Sequence, residues 1–152
     1  MNMKKDNPEI TIIALNKKAT HNYTIVQQWE AGIVLSGPET KAIRDGQVNF
    51  ADSYATIESG QAWLHNLHIN ADVTYGSYSP TQKRKLLLHK AQIRKIENRV
   101  KNKGYTIIPL RIYFKKQWVK IVIALTEGKT TYDKRQSLKK KESRREMRTI
   151  RT

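Results

Sequence analysis

The side chains that could do chemistry in this 152-residue chain are four histidines and one short segment resembling a phosphate-binding loop. The chain has no Cys, which excludes disulfides, a thiolate nucleophile and thiolate metal sites. His65 and His68 are three residues apart at the end of a predicted strand, so their side chains point to opposite faces and form a poor chelate. His89 lies on the apolar face of a predicted helix, which indicates a core or interface position. We therefore predict no catalytic residue, no metal site and no cofactor.

The phosphate-loop resemblance is confined to Gly128-Lys129-Thr130-Thr131. A nucleotide-binding loop also needs a glycine five positions before its last glycine, and this chain has Ile123 there, inside a predicted strand. The sequence contains no G-x-S-x-G or H-E-x-x-H motif either. Nothing in these patterns argues for an enzyme.

Positive charge is concentrated behind residue 82. Residues 1–82 have a net charge of −2, whereas residues 83–103, 104–132 and 133–152 have net charges of +8, +4 and +6. A near-neutral body joined to basic segments is typical of a protein that binds a polyanion, for which nucleic acid is the natural candidate. His21, in a polar segment with two lysines, then fits an RNA contact.

The beginning of the chain has no apolar signal-like region, and no run of about 18 apolar residues occurs anywhere. We expect a soluble cytoplasmic protein that does not contact a membrane.

The hydrophobic pattern predicts mainly strands. Residues 23–35 read as a strand with a bulge or bend at Gly32, and residues 53–58 and 61–67 as a hairpin turning at Ser59-Gly60. An irregular strand is expected within residues 69–78. Residues 105–114 and 118–125 give the clearest hairpin, in which Ile108, Leu110, Ile112 and Phe114 alternate on one side; Pro109 indicates an edge or a bulge.

Two helices are predicted. Pro38 can begin a short one that Gly46 ends. The longer one covers residues 83–103, where apolar residues recur at spacings of three and four before Gly104. Together the elements favour a mainly β fold of about six antiparallel strands, an OB-fold-like barrel with one short and one long helix. We expect a flexible arm over residues 1–10, the barrel domain over 11–132, and a basic tail over 133–152 that is disordered when free.

Several segments resemble the small protein B (SmpB) family, the SsrA-binding proteins that partner transfer-messenger RNA (tmRNA). They are Ile13-Ala14-Leu15-Asn16-Lys17-Lys18-Ala19, Glu30-Ala31-Gly32-Ile33-Val34-Leu35, Arg44-Asp45-Gly46, Asp52-Ser53-Tyr54, Arg84-Lys85-Leu86-Leu87-Leu88-His89-Lys90, Gly104-Tyr105-Thr106 and Asp133-Lys134-Arg135. The resemblance runs from about Ile13 to Arg148, and it departs from the family where Thr130 replaces a second lysine after Gly128-Lys129.

The resemblance implies a function. Proteins of this family hold the tRNA-like part of tmRNA and enter stalled ribosomes with it, while the C-terminal tail occupies the empty message channel. Translation then resumes on the reading frame of tmRNA, which adds a degradation tag. The expected partners are therefore tmRNA and ribosomal RNA, and the free protein is expected to be a monomer.

The resemblance also implies two sets of site residues. The tmRNA-binding set is Asn16, Lys17, Lys18, His21, Glu30, Lys41, Arg44, Leu87 and Lys120. The tail set, expected to contact the ribosome, is Gly128, Lys129, Asp133, Lys134, Arg135, Arg144, Arg145, Met147 and Arg148. Lysine and arginine suit phosphates, while Asn16 and Glu30 suit base edges.

Two other functions fit the charge pattern. A structural ribosomal protein with a basic extension would bind ribosomal RNA broadly, and an RNA-processing enzyme would turn over labelled RNA. Trp63, Tyr113, Phe114 and Trp118 are equally consistent with core packing and with base stacking.

Overall fold

The computed structural model describes residues 10–73, 76, 78–101 and 104–128. Within them, strands and helices follow in the order β1 (Ile10–Leu15), α1 (Lys17–Asn22), β2 (Tyr23–Ile33), α2 (Gly37–Arg44), β3 (Val48–Asn49), β4 (Tyr54–Glu58), β5 (Gln61–His65), β6 (His68–Ile69), β7 (Arg84–Leu87), α3 (Lys90–Val100), β8 (Tyr105–Lys115) and β9 (Trp118–Gly128). The predicted tail and all but the last residue of the predicted arm lie outside the described residues.

Six of the strands close into a ring of antiparallel pairs. The order is β8, β4, β5, β7, β2 and β9, after which β9 pairs with β8 again; β1 lies outside the ring on β8. The link between β4 and β8 is a single residue pair, Ala55 with Ile107. The short strands β3 and β6 pair only with each other. The mainly antiparallel β fold is thus confirmed.

Both predicted hairpins are confirmed. At the β4–β5 turn, Ser59 and Gly60 both have positive φ, 52° and 75°, which is the backbone geometry of a two-residue type I′ turn. The β8–β9 hairpin turns at Lys116 and Gln117, between the paired residues Lys115 and Trp118. Of the strand expected within residues 69–78, the described residues show only Ile69, at the end of β6.

The predicted long helix is wrong over its first third. Arg84–Leu87 is strand β7, and the helix begins only at Lys90. The helical spacing of Leu86, His89 and Ile93 is overridden by tertiary packing, because Leu86 is 1% exposed between β5 and β2. His89 consequently lies exposed at the N-cap of α3, where its backbone N–H donates to Gln92 Oε1 at 3.0 Å, and not on an apolar stripe.

The short helix is confirmed as α2, with Ser36 at its N-cap. A third helix, α1, covers the polar segment that contains His21, so the expectation of two helices is wrong. Only one of its six residues, Ala19, is buried, which left no apolar periodicity to detect.

The bulges differ in part from the expectation. The bulge in β2 lies between Ile25 and Gln27 and not at Gly32. In β8 the predicted bulge is confirmed, between Pro109 and Arg111, but β8 is not an edge strand because it pairs on both sides.

This second bulge changes which face the side chains occupy. Beyond it, Ile112 and Phe114 join one hydrophobic cluster, whereas Ile108 and Leu110 join another. The expected alternation of all four on one side is therefore wrong.

The two clusters are the cores of the fold. The inner cluster takes residues from all six ring strands and from α2 and α3, among them Trp29, Ile43, Ala55, Leu64, Leu86, Ile96, Ile107, Ile112, Ile121, Ile123 and Leu125. The outer cluster lies under α1 and consists of Ala19, Ile108, Leu110, Tyr113, Val122 and Ala124. Strands β8 and β9 contribute to both, so they are covered on both faces.

A buried ion pair joins α2 to β7. Arg84 and Glu39 are 3% and 2% exposed, and Arg84 Nη2 lies 2.6 Å from Glu39 Oε2. Arg84 Nη1 also donates to the carbonyl of Leu67 at 2.6 Å. The Tyr78 hydroxyl donates to the same Glu39 oxygen at 3.1 Å.

Burial alone would raise the pKa of the Glu39 carboxyl, but the Ser36 backbone N–H and the Arg84 guanidinium outweigh it, so this pKa lies below its ordinary value. Burial, together with the Glu39 charge, raises the pKa of Tyr78. The carboxylate is therefore charged at neutral pH and depends on Arg84.

Replacing Arg84 with Met tests this dependence. We expect Arg84→Met to lower the free energy of unfolding at pH 7 by about 3–5 kcal/mol, because it leaves a buried carboxylate without its counter-charge. Urea unfolding measures the change. Lys85→Met, the neighbouring and half-buried residue of the same strand, is the control and should change stability by less than about 1 kcal/mol.

The contribution of Glu39 to the free energy of unfolding changes with pH in opposite directions in the wild type and in Arg84→Met. In the wild type the lowered pKa of Glu39 adds stability above the unfolded pKa, and this is lost as pH falls through the folded pKa. In Arg84→Met burial dominates and raises the pKa of Glu39. Acidification should therefore reduce the difference in free energy of unfolding between the wild type and the variant. A difference that is constant or grows between pH 7 and pH 4 would contradict this account.

Candidate nucleic-acid interface

We call the side of strands β2, β8 and β9 that carries the outer cluster the outer face. Glu30 of β2 is held in place on this face. It accepts a hydrogen bond from the Tyr113 hydroxyl, and its Oε1 lies 3.8 Å from Lys115 Nζ. The Tyr113 ring is 6% exposed within the outer cluster, whereas the Glu30 side chain is 40% exposed. The carboxylate is thus positioned by one buried donor and one exposed cation while remaining open to a ligand.

Lys120 and Leu87 lie next to Glu30 across the neighbouring strands. Gly32 of β2 pairs with Lys120 on one side and with Leu87 on the other. A shallow groove is lined by Glu30, Leu87 and Lys120 together with His89 and Gln92. Leu87 is 52% exposed, so it is a surface residue and not part of the core.

Gly32 permits this close arrangement. A Cβ atom added there would lie 3.3 Å from the Cβ of Leu87, closer than side chains normally approach. Position 32 therefore requires glycine because glycine has no side chain, and not because the strand bulges there.

Helix α1 positions the other basic residues on the same outer face. Ala19 fixes the helix on the outer cluster, to which Tyr113 also belongs. Asn16 anchors its start, since its Nδ2 donates to the carbonyl of Pro109 at 2.8 Å and its backbone N–H to the carbonyl of Leu110 at 2.7 Å. Lys17, Lys18 and His21 then project as exposed side chains.

The expected tmRNA-binding set therefore falls into two places. Seven of its nine members share the outer face, and Lys41 and Arg44 lie on α2. The Arg44 guanidinium carbon is 5.0 Å from the centre of the Phe114 ring, and Lys41 lines a separate cleft with Asp45. Among the described residues, no hydrogen bond or ion pair connects these two side chains to Glu30.

Sequence reasoning missed Lys115, Gln92 and the role of Tyr113 in positioning Glu30. Of the two roles that fit Tyr113, core packing and base stacking, the structure shows core packing, with the hydroxyl bonded to Glu30. A signal existed in part, because Tyr113 and Lys115 are two apart on a strand and therefore share a face. Trp118, at the tip of the same hairpin, is 63% exposed and is a better candidate than Tyr113 for stacking on an RNA base.

Of the tail set, only Gly128 is described; it is exposed at the end of β9, paired with Tyr23. Lys129, Asp133, Lys134, Arg135, Arg144, Arg145, Met147 and Arg148 lie outside the described residues. In the described part of the chain, no helix is long and apolar enough to cross a membrane. Nor do three or more His, Cys, Asp or Glu side chains in that part form a group that could hold a metal ion.

Comparison with known proteins gives consistent matches. The family model described as SmpB protein matches residues 13–152. An SsrA-binding protein of a Sulfurihydrogenibium species is 49% identical over 139 residues, 90% of this chain and 91% of the relative. The SsrA-binding protein of Trichodesmium erythraeum is 45% identical over 147 residues, covering 95% and 94% of the two chains.

A solved structure is also similar. A chain from the structure described as "tmRNA-SmpB: a journey to the center of the bacterial ribosome" aligns with a TM-score of 0.67 and 37% identity, over 84% of this chain and 95% of that one.

A closed ring of antiparallel strands with a basic outer face around one positioned carboxylate defines a small polyanion-binding domain. The matches make the assignment specific. The chain belongs to the SmpB protein family.

A larger residue at Gly32 should disturb the groove. We expect Gly32→Val to lower the free energy of unfolding by about 1–3 kcal/mol, because the new side chain overpacks against Leu87. Urea unfolding and the methyl NMR signals of Leu87 measure the effect.

Gly128→Val, at the end of strand β9, is the matched control, since a Cβ there meets nothing within 4 Å and valine suits a strand. It should change stability by no more than about 0.5 kcal/mol. Equal stabilities of the two variants, with unshifted Leu87 methyl signals, would show that the close approach imposes no constraint.

Proposed function

We propose that this protein is an adaptor that binds tmRNA, the SsrA RNA, and acts with it on stalled ribosomes in trans-translation. Family membership over residues 13–152 supports this, as do relatives named SsrA-binding proteins and a similar structure described with tmRNA and the ribosome. As a member of this family the protein is a binding protein and not an enzyme. It would work in the cytoplasm, as a monomer when free.

The observation that carries the proposal is the positioned Glu30 carboxylate on an otherwise basic face. Electrostatic attraction to RNA explains the lysines but not an acid held in place by Tyr113. A carboxylate can accept hydrogen bonds from the N–H groups of a base edge, which gives specificity rather than affinity. The tmRNA-binding surface would therefore be the outer face from α1 through Glu30 and Lys120 to Leu87.

We infer that Lys41 and Arg44 bind a different part of the RNA from the part held by the outer face. That part of the RNA would extend around the β1 side of the ring. Arg44 is placed against Phe114 by a cation–π contact, which leaves its guanidinium edge available to a phosphate. Both side chains are exposed cations on α2, and such cations suit contacts to phosphates.

The ring would act as an OB-fold-like barrel. Six strands paired in a closed order and a binding face on the outside of the sheet support that assignment. The domain would extend to residue 132, and the basic tail from 133 to 152 would remain disordered until it enters the empty message channel. There Gly128, Lys129, Asp133, Lys134, Arg135, Arg144, Arg145, Met147 and Arg148 would contact ribosomal RNA.

Loss of the Glu30 carboxylate should weaken tmRNA binding even though it removes a negative charge. We expect Glu30→Ala to raise the Kd by roughly 5- to 100-fold, the effect of one lost base contact. Fluorescence titration with a tmRNA transcript at fixed salt measures it. The binding should also weaken with salt, with a log–log slope of roughly −0.7 to −0.9 per phosphate contact.

Glu58→Ala is the matched control, since it changes net charge equally at an exposed carboxylate on β4, away from the outer cluster. Its Kd should be unchanged or slightly lower. If Glu30→Ala behaves like Glu58→Ala, Glu30 does not read a base.

Removing the tail should separate the two activities. Truncation after Tyr132 is expected to leave most tmRNA affinity intact, because the outer face is retained, and to abolish peptide tagging on stalled ribosomes. Tagging in a reconstituted translation system, beside the titration above, measures both. Parallel loss of affinity and tagging would contradict the division between domain and tail.

A further inference from the structure

A cleft beside α1 is lined in part by Ser53, whose hydroxyl group has no hydrogen-bond partner among the described residues. Ser53, just before β4, is 4% exposed, and its Oγ is buried without a hydrogen-bond partner among the described residues. Buried hydroxyls almost always have a partner, so an unsatisfied one indicates a ligand or solvent molecule that completes it.

The loop that carries Ser53 is fixed by its own hydrogen bonds. The Ser53 backbone N–H donates to the carbonyl of Phe50 at 2.8 Å, and Phe50 is 7% exposed in the inner cluster. The backbone N–H of Ala51, which has φ of 43°, donates to Asn49 Oδ1 at 2.7 Å. The hydroxyl is therefore held at a set position before any ligand arrives.

The cleft is larger than one water molecule needs. It has a volume of about 210 Å³, several times the roughly 10–15 Å³ that one water molecule needs. Among the side chains that line it are Asn16, Lys18, Asn22, Asp52 and Tyr54. A single buried water would satisfy Ser53 but leave most of this space unused.

The lining combines an aromatic ring with hydrogen-bond acceptors and a cation. Tyr54 is 37% exposed, and one face of its ring is stacked on His65 with 4.9 Å between the ring centres. Asp52 offers a carboxylate, and Asn16 offers Oδ1 because its Nδ2 donates to Pro109. Lys18 adds the charge that a phosphate attracts. These groups together suit a planar ring with N–H donors attached to a phosphate.

We propose that this cleft receives one unpaired nucleobase of the bound RNA, with its Watson–Crick edge against Ser53 and Asp52 and its phosphate near Lys18. Unpaired bases are recognised in this way, by stacking and by hydrogen bonds to their edges. The proposal rests on the proposed function and adds to it a second base-reading site, beside α1.

Ser53→Ala in the full-length protein tests the proposal, because it deletes the unsatisfied hydroxyl and keeps the turn. We expect the unfolding midpoint to stay the same or rise, and the affinity for a tmRNA transcript to fall by about 3- to 10-fold, the effect of one hydrogen bond. Dimethyl sulfate and kethoxal probing should find one unpaired nucleotide protected in the wild-type complex and exposed in the Ser53→Ala complex. Ser79→Ala, at an exposed loop serine, is the control and should match the wild type throughout.

Three results would overturn the proposal. Equal affinity and an identical footprint for Ser53→Ala would mean that the cleft holds solvent only, while the proposed function stands. A lower unfolding midpoint in Ser53→Ala would mean that the hydroxyl has a structural partner. Failure of the wild type to bind tmRNA would overturn the proposed function and this inference together.

Discussion

The buried ion pair between Glu39 and Arg84 fixes the part of the chain on which the rest of the fold depends. Arg84 is charged and fully enclosed, so the strand that carries it must lie where Glu39 and the Leu67 carbonyl can satisfy the guanidinium. That position places β7 between β5 and β2 and closes the ring of strands. It also places Leu87, three residues on, beside Gly32 on the outer face.

The outer face exists because β8 and β9 are covered on both sides. A bulge in β8 moves Ile108 and Leu110 out of the inner cluster and into a second one, on which α1 packs. Tyr113 belongs to that second cluster, and its hydroxyl donates a hydrogen bond to the exposed Glu30. The geometry that makes α1 stable therefore also holds the carboxylate at the interface.

Local signals in the sequence were enough for the hairpins and for α2, because turns such as Ser59-Gly60 and caps such as Ser36 act over a few residues. They failed for residues 84–87, where the helical spacing that begins at Leu86 competes with a salt bridge between Arg84 and a residue 45 positions away. They failed for α1, which has a single buried residue. Family resemblance was enough to name the members of the tmRNA-binding set. It could not show how they are grouped in space, because contacts such as the one between Tyr113 and Glu30 join residues 83 positions apart.

The central claim is that one RNA is selected, by a face that combines charge with a positioned acid. The measurement that tests it most directly is recovery of the RNA bound to the tagged protein from a bacterial lysate at moderate salt, followed by sequencing. We predict that tmRNA dominates the recovered RNA. A broad mixture dominated by ribosomal RNA would contradict selection and would indicate a structural ribosomal protein instead.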